Sequence, residues 1–179
     1  MRLLGFLAIA AAASVWAQTP CPCDPSKPET MKARQCSLCV EAEKQPADIM
    51  VFFLKDANPR KANRMLALPR RHTSGVHPMA DLTPVERAAV WTAAISKAKE
   101  LWGPDWAVAY NGDKVRTQCH AHVHIGKLLP GVEAGPFVEV ATPAEIPPPI
   151  VDGFWIHPTA DGKLHVHTGE QITETVLLR

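Results

Sequence analysis

His120-Ala121-His122-Val123-His124-Ile125 is the stretch on which the reading of this chain turns. Histidine and apolar residues alternate with a period of two. That period belongs to a β-strand, where successive side chains leave opposite faces and neighbours on one face sit ~6.5–7 Å apart. A strand here sends Ala121, Val123 and Ile125 into a core and lines the other face with three imidazoles. A lone histidine in such a pattern is most simply a satisfied core residue. Three in register form a chemical surface.

Two chemistries suit that surface. Imidazoles can converge on a metal ion, or one neutral imidazole can attack a phosphorus or acyl centre while its neighbours orient it and stabilise charge. The preceding polar loop, Asn111-Gly112-Asp113-Lys114-Val115-Arg116-Thr117-Gln118, favours the second. It offers Arg116 as a bidentate fork for phosphate oxygens, with Asn111, Thr117 and Gln118 as neutral donors. A pure metal site has no use for that inventory.

Around this centre the elements fall in a simple order. Asp48–Leu54 is short, rich in branched and aromatic residues, and stopped by Ala57-Asn58-Pro59, so a strand is expected. Arg64–Leu68 is a second strand, ended by Pro69. Thr83-Pro84-Val85-Glu86 opens a helix with a capping threonine, proline in the first turn and a glutamate that completes a capping box. The helix runs to about Trp102 on a stripe of Val90, Trp91, Ala94, Ile95, Ala98, Leu101 and Trp102, and Gly103-Pro104 ends it. Trp106–Tyr110 is the strand before the polar loop. Leu129–Pro149 holds six prolines, too many for a core strand, and is expected to connect elements over the surface. Gly153–Ile156 and Leu164–Thr168 flank Asp161-Gly162 as a hairpin. Short links between neighbouring strands favour an α+β fold, an antiparallel sheet carrying one main helix and a C-terminal hairpin extension.

Composition sets the outer bounds. The chain has 179 residues, 46% of them hydrophobic, and nineteen Lys+Arg against eighteen Asp+Glu leave a net charge of +1. That balance excludes a disordered acidic tail or a basic arm, and with it a nucleic-acid partner. Met1-Arg2, the apolar run Leu3–Ala13 and Ser14-Val15-Trp16-Ala17 form a secretory signal peptide over residues 1–17, cut before Gln18, or else an uncleaved anchor. The protein is therefore expected to be exported, periplasmic or membrane-associated. Residues 18–35 form a Cys/Pro-rich lead-in, 36–128 the catalytic domain, 129–152 the Pro-rich connector, and 153–179 a hairpin packed on the same domain.

The triplet and its lead-in resemble the signature of the histidine triad (HIT) superfamily of nucleotide hydrolases and transferases. Upstream, Phe53-Leu54-Lys55-Asp56 with Asn58-Pro59, then Met65-Leu66-Ala67-Leu68-Pro69-Arg70-Arg71-His72, is similar to the two opening strands of that fold. Within the superfamily the chain looks most like the bacterial CDP-diacylglycerol pyrophosphatases, which carry an Asn followed by Arg-Thr-Gln-x-His-x-His-x-His-Ile. Asn111 and Arg116-Thr117-Gln118-Cys119-His120 onward match residues and spacing.

The resemblance implies hydrolysis of a nucleotide phosphoric anhydride, CDP-diacylglycerol and water giving CMP and phosphatidate, in phospholipid metabolism. His122 would be the nucleophile, forming a nucleotidyl-histidine; His124 would donate to the phosphate or the leaving oxygen, and His120 would orient the site. Asn111, Arg116, Thr117 and Gln118 would contact phosphate, and Asp56, with Lys55 beside it, would lie at the ribose. No cofactor is required for that chemistry. A nucleotide or nucleotide-lipid is the implied partner, with association at a membrane surface; a homodimer is open, since many HIT proteins dimerise.

Some HIT proteins also hold a structural zinc, and the corresponding residues are Cys36, Cys39, His72 and His120. The alternative, preferred in an oxidising compartment, is that the Cys21-Pro22-Cys23 and Cys36-Ser37-Leu38-Cys39 pairs bond to each other across the lead-in; a redox role for Cys36 and Cys39 is a third reading, disfavoured because no thioredoxin-like βαβ pattern surrounds them. Cys119 stands outside both pairs and is expected to be a small buried residue. His72, if not a ligand, is expected at the surface, His77 and His157 in loops, and His165 and His167 on a solvated strand face. The competing functional class is a non-catalytic exported metal-binding protein that uses the His and Cys clusters.

Overall fold

The structure, a computed structural model, describes residues 19–132 and 135–179; the expected signal segment lies outside them. Seven strands form one sheet: β1 (Val51–Lys55), β2 (Met65–Pro69), β3 (Trp106–Tyr110), β4 (Val123–Lys127), β5 (Phe137–Val140), β6 (Gly153–Pro158) and β7 (Leu164–Glu170). Their order across the sheet is β1-β2-β4-β3-β6-β7-β5, and every neighbouring pair is antiparallel. Two α-helices accompany it, α1 (Ser37–Glu43) and α2 (Pro84–Trp102). The architecture is α+β. Among the described residues no helix is long and apolar enough to cross a membrane.

α2 forms as its first turn dictates. The Thr83 hydroxyl accepts from the Glu86 backbone N–H at 3.3 Å, and the Glu86 carboxylate accepts from the Thr83 N–H at 2.7 Å. Such a cap stabilises a helix by about 1 kcal/mol. Val90, Trp91, Ala94, Ile95 and Ala98 are buried against Ala67, Val108, Ala121, Val123 and Ile125 on one face of the sheet. Alternate residues on the other face, Leu66 and Leu68, meet Ala42 of α1, while Ala107, Ala109 and Trp155 meet Val176 and Leu177. α1 and the C-terminal segment cover only parts of this second face.

Several expectations are corrected. β4 begins at Val123, not at His120, because the chain just before it is held by other partners. The Cys119 N–H donates to Gln35, the Cys119 carbonyl accepts from His77, and Cys119 is bonded to Cys21. Cys119 is thus half of a disulfide rather than a lone thiol. The second disulfide joins Cys23 to Cys36, leaving Cys39 as a buried free thiol. The Pro-rich connector contains a strand after all: among the described residues β5 pairs only with β7, at the sheet edge where flanking prolines such as Pro136 cost no ladder bond.

The hairpin β6–β7 continues the sheet through β3 instead of packing on it as an appendage. Its junction is close. A Cβ on Gly153 would lie 2.6 Å from the Tyr110 carbonyl oxygen and 2.8 Å from the Gly112 nitrogen. Only glycine lets the hairpin approach the polar loop that leads to the histidines.

Candidate active site

A cleft of about 570 Å³ opens on the second face, between α1, the β1–β2 connection, the polar loop and the C-terminal turn. That volume is in the range of small-molecule sites, about 300–1,000 Å³. His122 and His124 form its floor, with ring centroids 5.0 Å apart. On the core side the expected alternation is present, with Ala121, Val123 and Ile125 all under α2.

His122 is held in one tautomer. Its Nδ1 lies 2.9 Å from the His120 carbonyl oxygen, which can only accept, so Nδ1 carries the proton and Nε2 keeps its lone pair. Burial, reinforced by His124 and Arg116, pushes its pKa down to about 3. The ring is a neutral base with one free nitrogen across the physiological range.

His124 stands between two carboxylates, its Nδ1 3.5 Å from Glu174 Oε2 and 3.8 Å from Asp56 Oδ2. Burial works to raise both acids. For Asp56 the nearby His124 ring, the hydrogen bond from the Asn58 N–H and the Lys61 charge outweigh it, and its pKa is lowered. For Glu174 the charges and bonds of His124, Lys61 and Arg64 do the same. With Nδ1 turned to these anions, Nε2 is the nitrogen left for a ligand.

His120 does not line the cleft. Its ring is fully buried behind the floor, Nε2 donating to the Pro69 carbonyl at 2.8 Å, beside His72 and His77. It serves His122 through its backbone carbonyl. The geometric reason is the start of β4: residues 119–121 follow the disulfide-bonded lead-in and not the ladder.

The polar loop brings Asn111, Arg116, Thr117 and Gln118 to the cleft wall. Arg116 is buried, bonded through Nη2 to Asp113 at 2.7 Å, with Nε and Nη1 lacking a partner among the described residues. Buried guanidinium N–H groups left unpaired are costly, and the Arg116 guanidinium also lies over the Tyr110 ring, 5.5 Å from its centroid. Thr117 and Gln118 also line the cleft. Gln118, however, already accepts from Ser37 at 3.0 Å and donates to the Arg34 carbonyl at 3.3 Å. The Asn111 carbonyl oxygen is likewise occupied, accepting from the N–H groups of Thr173 and Glu174 at 3.0 and 3.1 Å. Only its amide N–H groups remain for a ligand. Its larger service is to bring Glu174 to the site.

Lys55 is exposed at the end of β1 and is not part of the cleft wall; Asp56 and Asn58 are. Lys61 is the lysine that reaches the site, in contact with Glu174. Arg34, Lys61, Arg64 and Glu174 had no motif to announce them. Arg64, almost fully buried, bonds Glu174 at 3.1 Å, the Leu178 carbonyl at 3.0 Å and the Leu177 carbonyl, tying the C-terminal turn to β2.

The four-residue zinc set does not assemble as drawn, because Cys36 is sulfur-bonded to Cys23 and has no thiolate to give. Cys39, His72 and His120 do converge, their donor atoms within 4.8 Å of one another. His72 is not at the surface: its side chain is enclosed, with Nδ1 2.8 Å from Glu43 Oε1. The Cys39 thiol is pushed up to about 12 by burial. His77 and His157 are buried in contacts rather than loose in loops, and His167 is buried too. No family model matches the chain, and no curated protein matches it.

Proposed function

We propose that this chain is a HIT-type hydrolase of nucleotide phosphoric anhydrides, acting through a nucleotidyl-histidine on His122. The observation that carries the reading is the His122 Nδ1–His120 carbonyl bond, which leaves a neutral Nε2 in a cleft that Arg116 also lines. Nε2 attacks the α-phosphorus, an N–P bond forms, and the bond from phosphorus to the bridging oxygen breaks. The leaving phosphate carries away that electron pair. Water then attacks phosphorus, and His122 departs as the nucleoside monophosphate forms.

Arg116, Thr117 and the Asn111 amide stabilise the equatorial oxygens, where charge spreads in a loose transition state. His124, oriented by Asp56 and Glu174, donates from Nε2 to the phosphate or the leaving oxygen. The wall of Leu38, Ala57 and Leu66 offers an apolar face for a base. CDP-diacylglycerol is the substrate the motif favours, with its lipid tails leaving the cleft toward a membrane surface. The test is nucleoside monophosphate release from a panel of nucleotide diesters, by the wild-type protein and by His122→Ala. Release that needs His122 and resists a chelator supports the reading. No release from any diester defeats it and leaves the non-catalytic metal-binding class.

A further inference from the structure

A second group of histidines lies on the same sheet face, away from the cleft. His157 on β6 stands opposite His165 on β7, and His167 stands opposite Trp155. Core residues Ile156, Leu164 and Val166 point to the α2 side, so these three imidazoles share the other side. The hairpin draws them together. One ligating nitrogen from each ring lies within 4.8 Å of the others.

We propose that His157, His165 and His167 form a site for a divalent first-row transition metal, with Zn²⁺ as its simplest occupant. The His157 Nε2 to His167 Nε2 distance is 3.1 Å. The two atoms share a hydrogen bond whose proton a metal must displace, and two nitrogens bound to one tetrahedral zinc at ~2.0–2.1 Å stand roughly 3.3–3.4 Å apart. The His157 Nδ1 faces the Pro158 carbonyl at 3.0 Å, which places the proton there and the lone pair on Nε2, toward the group. His167 stacks on Trp155 at 3.6 Å with an interplanar angle of 6°, and His165 stacks on Phe137 at 3.9 Å. These aromatic rings hold the imidazoles in place before any ion arrives.

Glu139 on β5, paired with Lys163 at 2.5 Å, has its Oε2 3.6 Å from His165 Nε2 and serves as an outer-shell acceptor. An all-imidazole site with a nearby carboxylate suits zinc, copper(II) or nickel(II) rather than calcium or magnesium. The bound ion would clamp β6 and β7 together.

The test is Zn²⁺ titration of the full chain with both disulfides intact, in a Cys39→Ser background that disables the set with His72 and His120, while the set of Asp56, His124 and Glu174 remains and is recognised by its indifference to hairpin substitutions. The expected result is one zinc bound with a Kd below about 1 μM, a raised Tm in zinc, and affinity at least about 100-fold weaker in His157→Gln/His167→Gln. Absence of such binding in Cys39→Ser, or binding indifferent to the hairpin substitutions, overturns the site. Should the double variant fail to fold, imidazole NMR signals of the Cys39→Ser protein decide. Shifts at His157, His165 and His167 on adding zinc support the site, and unmoved signals refute it.

Discussion

His122 and His124 sit two residues apart on or beside a single strand, while His157, His165 and His167 are gathered from two strands of a hairpin. The first pair shares no converging set of donor atoms among the described residues: His124 converges with Asp56 and Glu174, and His122, its ring centroid 5.0 Å away, is not among them. They divide labour instead, one nitrogen held neutral by a carbonyl and the other ring set between carboxylates. The hairpin group lacks a surrounding cleft of cations but brings its nitrogens within ligand distance of one another. The same residue type on the same sheet face thus supports different chemistry according to whether it repeats along a strand or across strands.

The sharpest way to break that contrast is to remove the proposed nucleophile. His122→Ala is expected to lower kcat/KM by at least about 10⁴-fold with the melting temperature retained, because the covalent route is lost while little packing is. Reducing the Cys21–Cys119 disulfide should come next. It closes a loop of 98 residues, and its loss costs about 4–5 kcal/mol of stability by chain-entropy reasoning. Denaturant unfolding with and without reductant measures it, and the cleft should suffer with the fold, since Cys119 anchors the start of the histidine run.

A third test uses pH. Burial, partly opposed by the bond to Pro69, pushes His120 from 6.5 down to about 4. The unfolded chain therefore takes up this proton near pH 6.5 and the folded chain only near 4. Stability is complete above about pH 6.5 and falls as pH drops toward 4, by about 3 kcal/mol from His120 alone. Stability that instead rises on acidification would contradict the buried neutral ring. Arg116→Lys should lower kcat/KM by about 10²-fold, since a point charge cannot replace a fork. The smallest effect separates two lysines: Lys61→Ala should weaken turnover more than Lys55→Ala, because only Lys61 reaches the cleft.

Much of this was legible in the chain because the signals are local. The period-two triplet, the Thr83–Glu86 capping box and the proline stops after β1 and β2 each act within a few residues. What was not legible depends on distant closure. Cys119 finds Cys21 across 98 residues, and nothing near either cysteine specifies the other. Glu174 reaches His124 only because Asn111 and Arg64 hold the C-terminal turn. β5 was hidden by its prolines, and α1 by its shortness. His157 gave no sign beside Pro158, since its partners are supplied by the hairpin register.

The central claim is that His122 Nε2 becomes covalently bonded to phosphorus. Rapid quench under alkaline conditions, which preserve an N–P bond, followed by peptide mass spectrometry after mixing with a nucleotide diester tests it directly. The account predicts a nucleotidyl adduct on the peptide carrying His122, formed and consumed within turnover. Full turnover in His122→Ala with no adduct on the wild-type peptide would contradict it.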